Sequence, residues 1–404
     1  MRIKTVQAII WLTGLIYLLF CIKTLTDSNG LKAVEYTLRG MIFICCLKYI
    51  TQYQNKLVPV YFAYFSFFIV YFALGIFYGN SLSYLISDLM LFSLLIFIFF
   101  LVNENRDEFT FQLVDSISLI FIFGLVFSIY FFITSGLQPA QSLEGRLDFD
   151  SDDWGDYYKY ALSIIQVSVL LLPFIWHLNF KRRFIMVSAI TLFFIVSAFT
   201  LSRANIVAVL ASGLITMYIG YKQNFIRLTF FTFSVTATGI IGLLTLFYVY
   251  GDIINTLYSL ASLRFQEFGG DSIEPRDIEA EVYFANASLY ELIAGKGFGG
   301  VNNYPFGKYS ERGIAMLHRG ENNLILKGGI ILLVLLYGLA LVALTKLLRS
   351  KAIYSKQWAA VIFIFLLLER GHQQYNQFFM LFFFCLAISY GLNIKMGLGR
   401  YRQA

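Results

Sequence analysis

Charged residues are scarce in this sequence. Of its 404 residues, 14% are charged, whereas 58% are hydrophobic and 18% are aromatic. Ordinary soluble domains carry about a quarter charged residues, so this composition excludes that class. Apolar runs of roughly 18 or more residues recur, and a helix of that length crosses the hydrocarbon core of a bilayer. Because lipid cannot satisfy the open edge of a strand, the sequence predicts an all-α integral membrane protein.

Cysteine and proline are also rare. The four cysteines, Cys21, Cys45, Cys46 and Cys385, all lie inside apolar runs, which gives neither a disulfide framework nor the spacing of a metal site. The five prolines do not mark the paired discontinuous helices that are typical of transporters. The cysteine spacing therefore predicts no metal site.

About twelve apolar segments are long enough to be membrane spans, and together they form one polytopic domain over residues 1–404. Their predicted limits are 6–22, 33–52, 56–78, 81–102, 109–134, 158–178, 184–201, 203–221, 226–250, 322–347, 357–369 and 373–392. One long polar segment, 251–321, separates the ninth span from the tenth. We expect this loop to carry part of an active site, together with a surface helix.

The distribution of basic residues predicts the orientation of the spans. The basic triplet 181–183 and the basic run 346–356 occupy short connections, where positive charge marks the cytoplasmic side. Both termini are then cytoplasmic, and the large loop 251–321 lies outside. The basic N-terminus has no convincing cleavage site after it, so we expect a retained first helix. Because topology accounts for the net charge of +7, we do not interpret that charge as a nucleic-acid-binding surface.

Three residues on the predicted outer side are candidates for a site. Arg203 lies in a tight turn between two spans, where a guanidinium held near the membrane surface can bind phosphate oxygens in a bidentate manner. Arg276 stands at the start of an amphipathic surface helix expected over 278–293. His318 immediately precedes a span, and neutral imidazole is the usual general base near pH 7. The respective alternatives are a snorkelling arginine, a solvated loop charge and a structural histidine.

Neighbouring polar residues could complete this site. Arg319 and Glu321 follow His318 closely, and Arg370 lies in another short outer turn, 369–372. Two arginines and a histidine at an outer membrane surface suit a pyrophosphate leaving group and a hydroxyl nucleophile. We therefore predict that Arg319, Glu321 and Arg370 contribute to substrate binding.

Two further patterns are interpreted as structural. Gly295, Gly297 and Gly300 formally spell G-x-G-x-x-G, but no strand precedes them and no dinucleotide-binding unit surrounds them. We expect them to form a tight turn that ends the surface helix. Asp88 and Asp115 are intramembrane carboxylates, which are functional candidates by default. No partner for either is evident in the sequence, so we favour packing or hydrogen bonding over a proton relay.

In order and placement, these motifs resemble the O-antigen polymerase and O-antigen ligase superfamily of multi-span bacterial glycosyltransferases. The resemblance rests on LSR at 201–203, on Arg276 heading a surface helix, on IAGKGFG at 293–299 and on the stretch from His318 through NNLILKGGI at 322–330. It covers about 200–330, and the number of spans and the late large loop agree with it over the rest of the chain.

The resemblance implies a reaction and its site. Members of this superfamily transfer a glycan from undecaprenyl pyrophosphate to an acceptor hydroxyl at the outer face of the bacterial inner membrane, with neither nucleotide nor metal. Arg203 and Arg276 would bind the donor pyrophosphate, and His318 would orient or deprotonate the acceptor hydroxyl. The implied partners are the undecaprenyl-pyrophosphate-linked glycan and membrane lipid, and a chain-length regulator protein is a further candidate. No nucleic acid is expected.

Three functions remain open, from two different classes. We favour a polymerase of O-antigen or another surface polysaccharide that joins repeat units by inverting transfer, because the chain is short-looped, rich in Phe and Tyr, and keeps its motifs loosely. An O-antigen ligase that transfers the glycan to lipid A core is the first alternative. A membrane transporter is the second; it would depend on Asp88, Asp115 and a polar pathway, and polar residues are sparse at the midplane of the spans.

Overall fold

A computed structural model of the protein describes most of the apolar segments and part of the long loop. The described residues are 58–102, 106–135, 163–199, 203–225, 274–304, Leu317, 320–369 and 378–393, together with helical positions within 8–45. Across these residues the secondary structure is 87% helix, and no β-strand is present among them. The all-α fold class is therefore confirmed.

Eleven α-helices are defined in the described ranges from residue 58 onward. In chain order they are α1 (Val58–Phe77), α2 (Leu82–Phe92), α3 (Arg106–Ser135), α4 (Ser163–Leu171), α5 (Phe180–Phe199), α6 (Arg203–Lys222), α7 (Glu274–Asn286), α8 (Leu289–Ala294), α9 (Gly320–Arg349), α10 (Ser355–Glu369) and α11 (Phe378–Leu392). A 3-10 helix follows α2 at Ser93–Val102, and another follows α4 at Leu172–His177. Pro173 lies at the start of the second, where its missing N–H removes an α-helical hydrogen bond.

The helices coincide with nine of the predicted apolar segments to within five residues at either end. Three are long and apolar enough to cross a membrane, over Asp107–Val126, Ala204–Lys222 and Gly320–Arg349. The chain therefore has the helical character of a membrane protein. The predicted span 226–250 lies outside the described residues, as do 251–273, 305–316 and 318–319 of the long loop.

Two side-chain contacts establish which helix ends lie together. Gln357 near the start of α10 donates to Gln223 Oε1, just after α6, at 3.0 Å. Lys346 near the end of α9 donates to the Leu392 carbonyl, the last residue of α11, at 2.9 Å. A short turn joins α9 to α10, so these two helices are antiparallel. The starts of α6, α9 and α11 and the end of α10 therefore lie at one end of the bundle, which we call the Glu369 end. We call the other the Gln223 end.

The core of the bundle contains closely packed aromatic rings. Phe365 of α10 stacks on Phe384 of α11 with ring centroids 4.1 Å apart. Phe382 of α11 meets Phe97 of the 3-10 helix after α2 edge to face at 4.7 Å. Trp358 is fully buried and donates to Thr110 of α3 at 3.1 Å, because a buried indole N–H requires an acceptor. These contacts join α3, α10, α11 and the 3-10 helix after α2.

The surface helix predicted over 278–293 is two helices, not one. The chain breaks between α7 and α8, where Ser288 accepts from the Glu291 N–H and the Glu291 carboxylate accepts from the Ser288 N–H. This reciprocal capping box satisfies two backbone donors at the start of α8 and so favours a new helix there. Tyr283 and Ala280 of α7 are buried, whereas Glu281, Phe284 and Asn286 are exposed, so the described part of this helix has the two faces of an amphipathic helix.

Candidate functional site

The glycine loop, residues 295–300, leaves α8 and enters the helix bundle. Gly295, Gly297 and Gly299 have φ angles of 74°, 74° and 72°, a region that glycine adopts without steric cost. A Cβ on Gly297 would lie 2.3 Å from the backbone nitrogen of Gly75 in α1. The predicted turn at the end of the surface helix is confirmed, and the missing side chains allow it to pack directly on the backbone of α1.

A break in α9 forms the opposite wall of the glycine loop. Gly329 has a φ of 66° inside this helix, which interrupts the helical hydrogen bonds and leaves carbonyls of the preceding turn in need of donors. The Leu326 carbonyl accepts from the Lys296 N–H at 2.8 Å. The Gly328 carbonyl accepts from the Tyr71 hydroxyl at 2.8 Å. The glycine loop and α1 therefore satisfy the backbone of the broken helix.

Phe298 anchors the tip of the glycine loop. Its ring is fully buried, stacks on Phe92 with centroids 5.5 Å apart and packs against Phe68 at 5.4 Å. The Asn80 side chain donates to the carbonyls of both Lys296 and Phe298 at 2.9 Å. Aromatic packing and these two hydrogen bonds fix the glycine loop against the α1–α2 turn.

Both aspartates of the predicted spans, Asp88 and Asp115, have cationic partners that the sequence did not reveal. Asp88 Oδ2 lies 2.8 Å from Lys327 Nζ of α9, and it also accepts from the Gly299 N–H at 2.7 Å. Asp115 Oδ1 lies 3.2 Å from Arg182 Nε of α5. No partner was evident in the sequence, and the structure supplies one for each aspartate. The preference for hydrogen bonding over a relay agrees with these contacts. Partners on distant segments cannot be paired from sequence alone.

A small apolar cluster joins α7 to the chain that precedes α9. It consists of the buried residues Tyr283, Leu317 and Leu326, with Leu292 and Ile325 packed against it. Tyr283 lies on the helix that carries Arg276, and Leu317 is the residue before His318 in the sequence. The cluster therefore brings α7 next to Leu317 and to the first two turns of α9.

A polar group lies beside this cluster. The Tyr304 hydroxyl donates to the Asn286 carbonyl at 2.8 Å and to Glu291 Oε2 at 3.3 Å, and Lys296 Nζ lies 3.8 Å from Glu291 Oε1. Burial, and after it the charge of Glu291, raises the pKa of Tyr304 above its ordinary value. Burial likewise raises the pKa of Tyr283. Both phenols therefore remain protonated at physiological pH.

Glu369 lies against the first residue of α9. Its side chain is fully buried, and a Cβ on Gly320 would lie 1.2 Å from Glu369 Oε1. The carboxylate therefore occupies the space that any side chain at position 320 would need. It also faces the start of a helix, where the macrodipole favours negative charge. The contact places the end of α10 directly beside the start of α9.

The structure describes some of the predicted site residues and not others. Arg203 is the first residue of α6, and Arg276 is the third residue of α7, but their side chains are outside the part of the chain that is described. Three other predicted residues also lie outside it: His318, Arg319 and Arg370. Glu321 lies in the first turn of α9, and its Oε2 is buried without a hydrogen-bond partner among the described residues.

Lys327 and Glu369 were not predicted as site residues. Each lies within or at the end of an apolar helix. Burying an ionisable side chain there costs free energy, so such a residue indicates either a functional site or an ion pair with another residue. Lys327 lies in the stretch 322–330 and Glu369 in the turn 369–372. The first segment was identified from the sequence as a motif of the family resemblance and the second as part of the site. Their burial and contacts could not be predicted, since these depend on chain segments far away.

Gly320→Ala tests whether the contact with Glu369 matters. The added methyl group would displace the carboxylate and move the first turn of α9, so we expect at least a tenfold loss of the activity proposed below, with a mild loss of stability. Gly320→Ala combined with Glu369→Asp, which shortens the acidic side chain, should regain part of that activity. Rates of purified variants measured with thermal unfolding check this expectation, and equal rates for Gly320→Ala and wild type would contradict it.

Comparison with known proteins adds no family to these observations. A scan against models of protein families finds no match, and a search of the curated proteins finds none either.

Proposed function

We propose that the protein is a surface-polysaccharide polymerase of the O-antigen type. It joins repeat units carried on undecaprenyl pyrophosphate, at the outer face of the bacterial inner membrane, by inverting and metal-independent glycosyl transfer. Both termini are cytoplasmic in this proposal, and about twelve spans cross the membrane. Arg203 and Arg276 bind the donor pyrophosphate, with Arg319, Glu321 and Arg370 completing the substrate site. His318 orients or deprotonates the acceptor hydroxyl.

One observation supports this proposal more than any other, namely the shared position of the motif-bearing helix ends. The start of α6 at Arg203, the start of α9 at Gly320 and the end of α10 at Glu369 all lie at the Glu369 end. The apolar cluster of Tyr283, Leu317 and Leu326 draws α7 to the same start of α9. Motifs spread over positions 203–369 of the chain thus lie at one end of an apolar helical bundle, as a reaction at a membrane surface requires.

The proposed chemistry is a single displacement. The oxygen of the acceptor hydroxyl forms a bond to the anomeric carbon of the donor sugar as the bond from that carbon to the diphosphate oxygen breaks. Undecaprenyl diphosphate leaves with the electron pair, and the hydroxyl proton passes to His318. Because negative charge grows on the diphosphate oxygens, fixed guanidinium groups stabilise the transition state more than the ground state.

The transporter alternative has less support. It depended on Asp88 and Asp115 as intramembrane acids, and both carboxylates contact a basic side chain. Such pairing reduces the cost of burying each charge and gives both residues a structural role. A ligase uses the same donor and the same chemistry as a polymerase, so the two are distinguished by their acceptors.

Reconstitution with defined substrates tests the proposal. Purified protein in detergent is supplied with lipid-pyrophosphate-linked repeat units, without nucleotide and in the presence of EDTA, and the products are separated by size. We expect glycan chains longer than one repeat unit. Parallel reactions containing lipid A core report ligation. Transfer to lipid A core without chain extension would show that the protein is a ligase and not a polymerase. Absence of transfer to both the repeat unit and the core would refute the glycosyltransferase proposal.

A further inference from the structure

The Asp88–Lys327 pair lies where α2, the glycine loop and α9 meet. The side chains are 13% and 3% exposed, respectively, and their charged atoms are 2.8 Å apart. Each charge also bonds the backbone of the glycine loop, because Gly299 N–H donates to Asp88 at 2.7 Å and Lys327 donates to the Gly300 carbonyl at 2.8 Å. The pair therefore holds the loop from both sides.

The glycine loop connects parts of the chain that carry the proposed site. It follows α8 directly, and α8 is separated from the Arg276-bearing α7 by two residues. Lys327 stands seven residues after Gly320, or about two turns into α9. A displacement of the loop against Lys327 would therefore move α7 and α8 relative to the start of α9.

We infer that Asp88 and Lys327 are positioning residues of the proposed site. They hold the α7–α8 unit, with Arg276, against the helix that begins directly after His318 and Arg319. Neither residue contacts the substrate; both act through the backbone of Gly299 and Gly300. This inference rests on the proposed glycosyltransferase function, because it concerns the geometry of that reaction's site.

The arrangement of hydrogen bonds supports positioning over a contribution to stability alone. A buried ion pair adds little net stability compared with apolar residues of similar size, because removing both charges from water is costly. This pair, however, supplies an acceptor for one loop N–H and a donor for one loop carbonyl. Apolar substitutes would fill the space but leave both backbone groups without partners, and the loop would move to find others.

Two charge-neutral double variants separate these effects. Asp88→Asn with Lys327→Gln keeps an acceptor for Gly299 and a donor for Gly300, whereas Asp88→Leu with Lys327→Met keeps neither. We expect the Asn/Gln variant to extend glycans within about tenfold of the wild-type kcat/KM. The Leu/Met variant should lose about 100-fold, the size of effect that a misplacement of about 1 Å produces.

The second intramembrane ion pair provides a matched control. Asp115 and Arg182 lie 3.2 Å apart, join α3 to α5 and are 30% and 21% exposed. Arg182 is close to the start of α5. His177, five residues earlier, contacts Gln357 at 2.9 Å, so the pair lies at the Gln223 end, away from the proposed site. Asp115→Leu with Arg182→Met should therefore leave kcat/KM within about threefold of wild type.

Hydrogen–deuterium exchange over residues 289–304 provides a readout that does not depend on activity. We expect the amides of 295–300 to lose protection in the Leu/Met variant and to keep most of it in the Asn/Gln variant. If the wild-type protein extends no glycan, the proposed function is refuted. The inference about Asp88 and Lys327 is then tested by exchange alone, and equal protection of 295–300 in both variants would overturn it. If wild type is active, a folded Leu/Met variant with wild-type kcat/KM overturns the inference.

A milder substitution decides the case in which the Leu/Met variant does not fold. Asp88→Glu keeps the charge but lengthens the side chain by one methylene group, which moves the carboxylate relative to Gly299. Positioning predicts at least a tenfold loss of kcat/KM in a folded protein. Wild-type kcat/KM in Asp88→Glu would show that charge alone matters and would overturn the inference.

Discussion

Replacing Arg203 with alanine is expected to lower the rate of glycan polymerisation about 100- to 1,000-fold, the loss typical for removal of one preorganised donor to a developing oxyanion. The guanidinium is proposed to bind diphosphate oxygens that gain charge in the transition state, so the loss should fall mainly on kcat. Steady-state extension of lipid-pyrophosphate-linked repeat units by the purified variant measures it. Arg276→Ala and His318→Ala should give losses of similar size.

Lys222 at the other end of α6 provides the control for Arg203→Ala. It is the last residue of the helix that Arg203 begins, and its ammonium group lies 6.0 Å from the Tyr218 ring centroid. Lys222→Ala removes one basic side chain from the same helix at the Gln223 end, so the polymerisation rate should stay at the wild-type value. A folded Arg203→Ala protein with the rate of Lys222→Ala would show that Arg203 is not part of the site.

Gly329→Ala is expected to destabilise the fold by roughly 2 to 5 kcal/mol, combining the cost of a left-handed backbone with that of overpacking. The φ angle of Gly329 is 66°, and a Cβ there would lie 2.0 Å from the Ile293 carbonyl oxygen. Neither the kinked α9 nor the chain that follows α8 can move without breaking the bond from the Lys296 N–H to the Leu326 carbonyl. Thermal unfolding of the purified variant in detergent measures the loss.

Gly338 in the same helix provides a matched comparison. A Cβ at this position meets no atom within 4 Å, and the helix is regular there. Gly338→Ala should therefore be neutral or stabilise the protein by about 0.5 to 1 kcal/mol, because alanine loses less backbone entropy on folding. If both glycine variants unfolded at the same temperature, the close approach of α8 to α9 would not be an important source of stability.

The helices could be predicted closely because their signal is local. A run of apolar residues long enough to cross a membrane favours a helix wherever it occurs, so the limits of α9 and α10 differ from the predicted ones by two residues or less. The break between α7 and α8 was missed although its signal is also local. Ser288 and Glu291 have the spacing of a capping box in the sequence. The apolar pattern nevertheless continues across 278–293, and it favoured a single helix.

The partners of buried polar groups could not be predicted. Asp88 and Lys327 belong to different apolar segments, and any of several basic residues could have paired with Asp88. The contact between Gly320 and Glu369 was hidden for the same reason. The choice of partner depends on which helices pack together and at which height, and hydropathy carries neither kind of information.

The sequence by itself determined that this protein is built from apolar helices, with a polar loop over 251–321, because composition and run length decide how a chain can satisfy its backbone in hydrocarbon. It also determined which motifs are present. Only the tertiary structure decided that the glycine loop is buried between α1, α2 and α9, and that Asp88 and Lys327 hold it there. The contacts of the loop with α1 and α2 join residues more than 200 positions apart, so they exist only once the helices have packed.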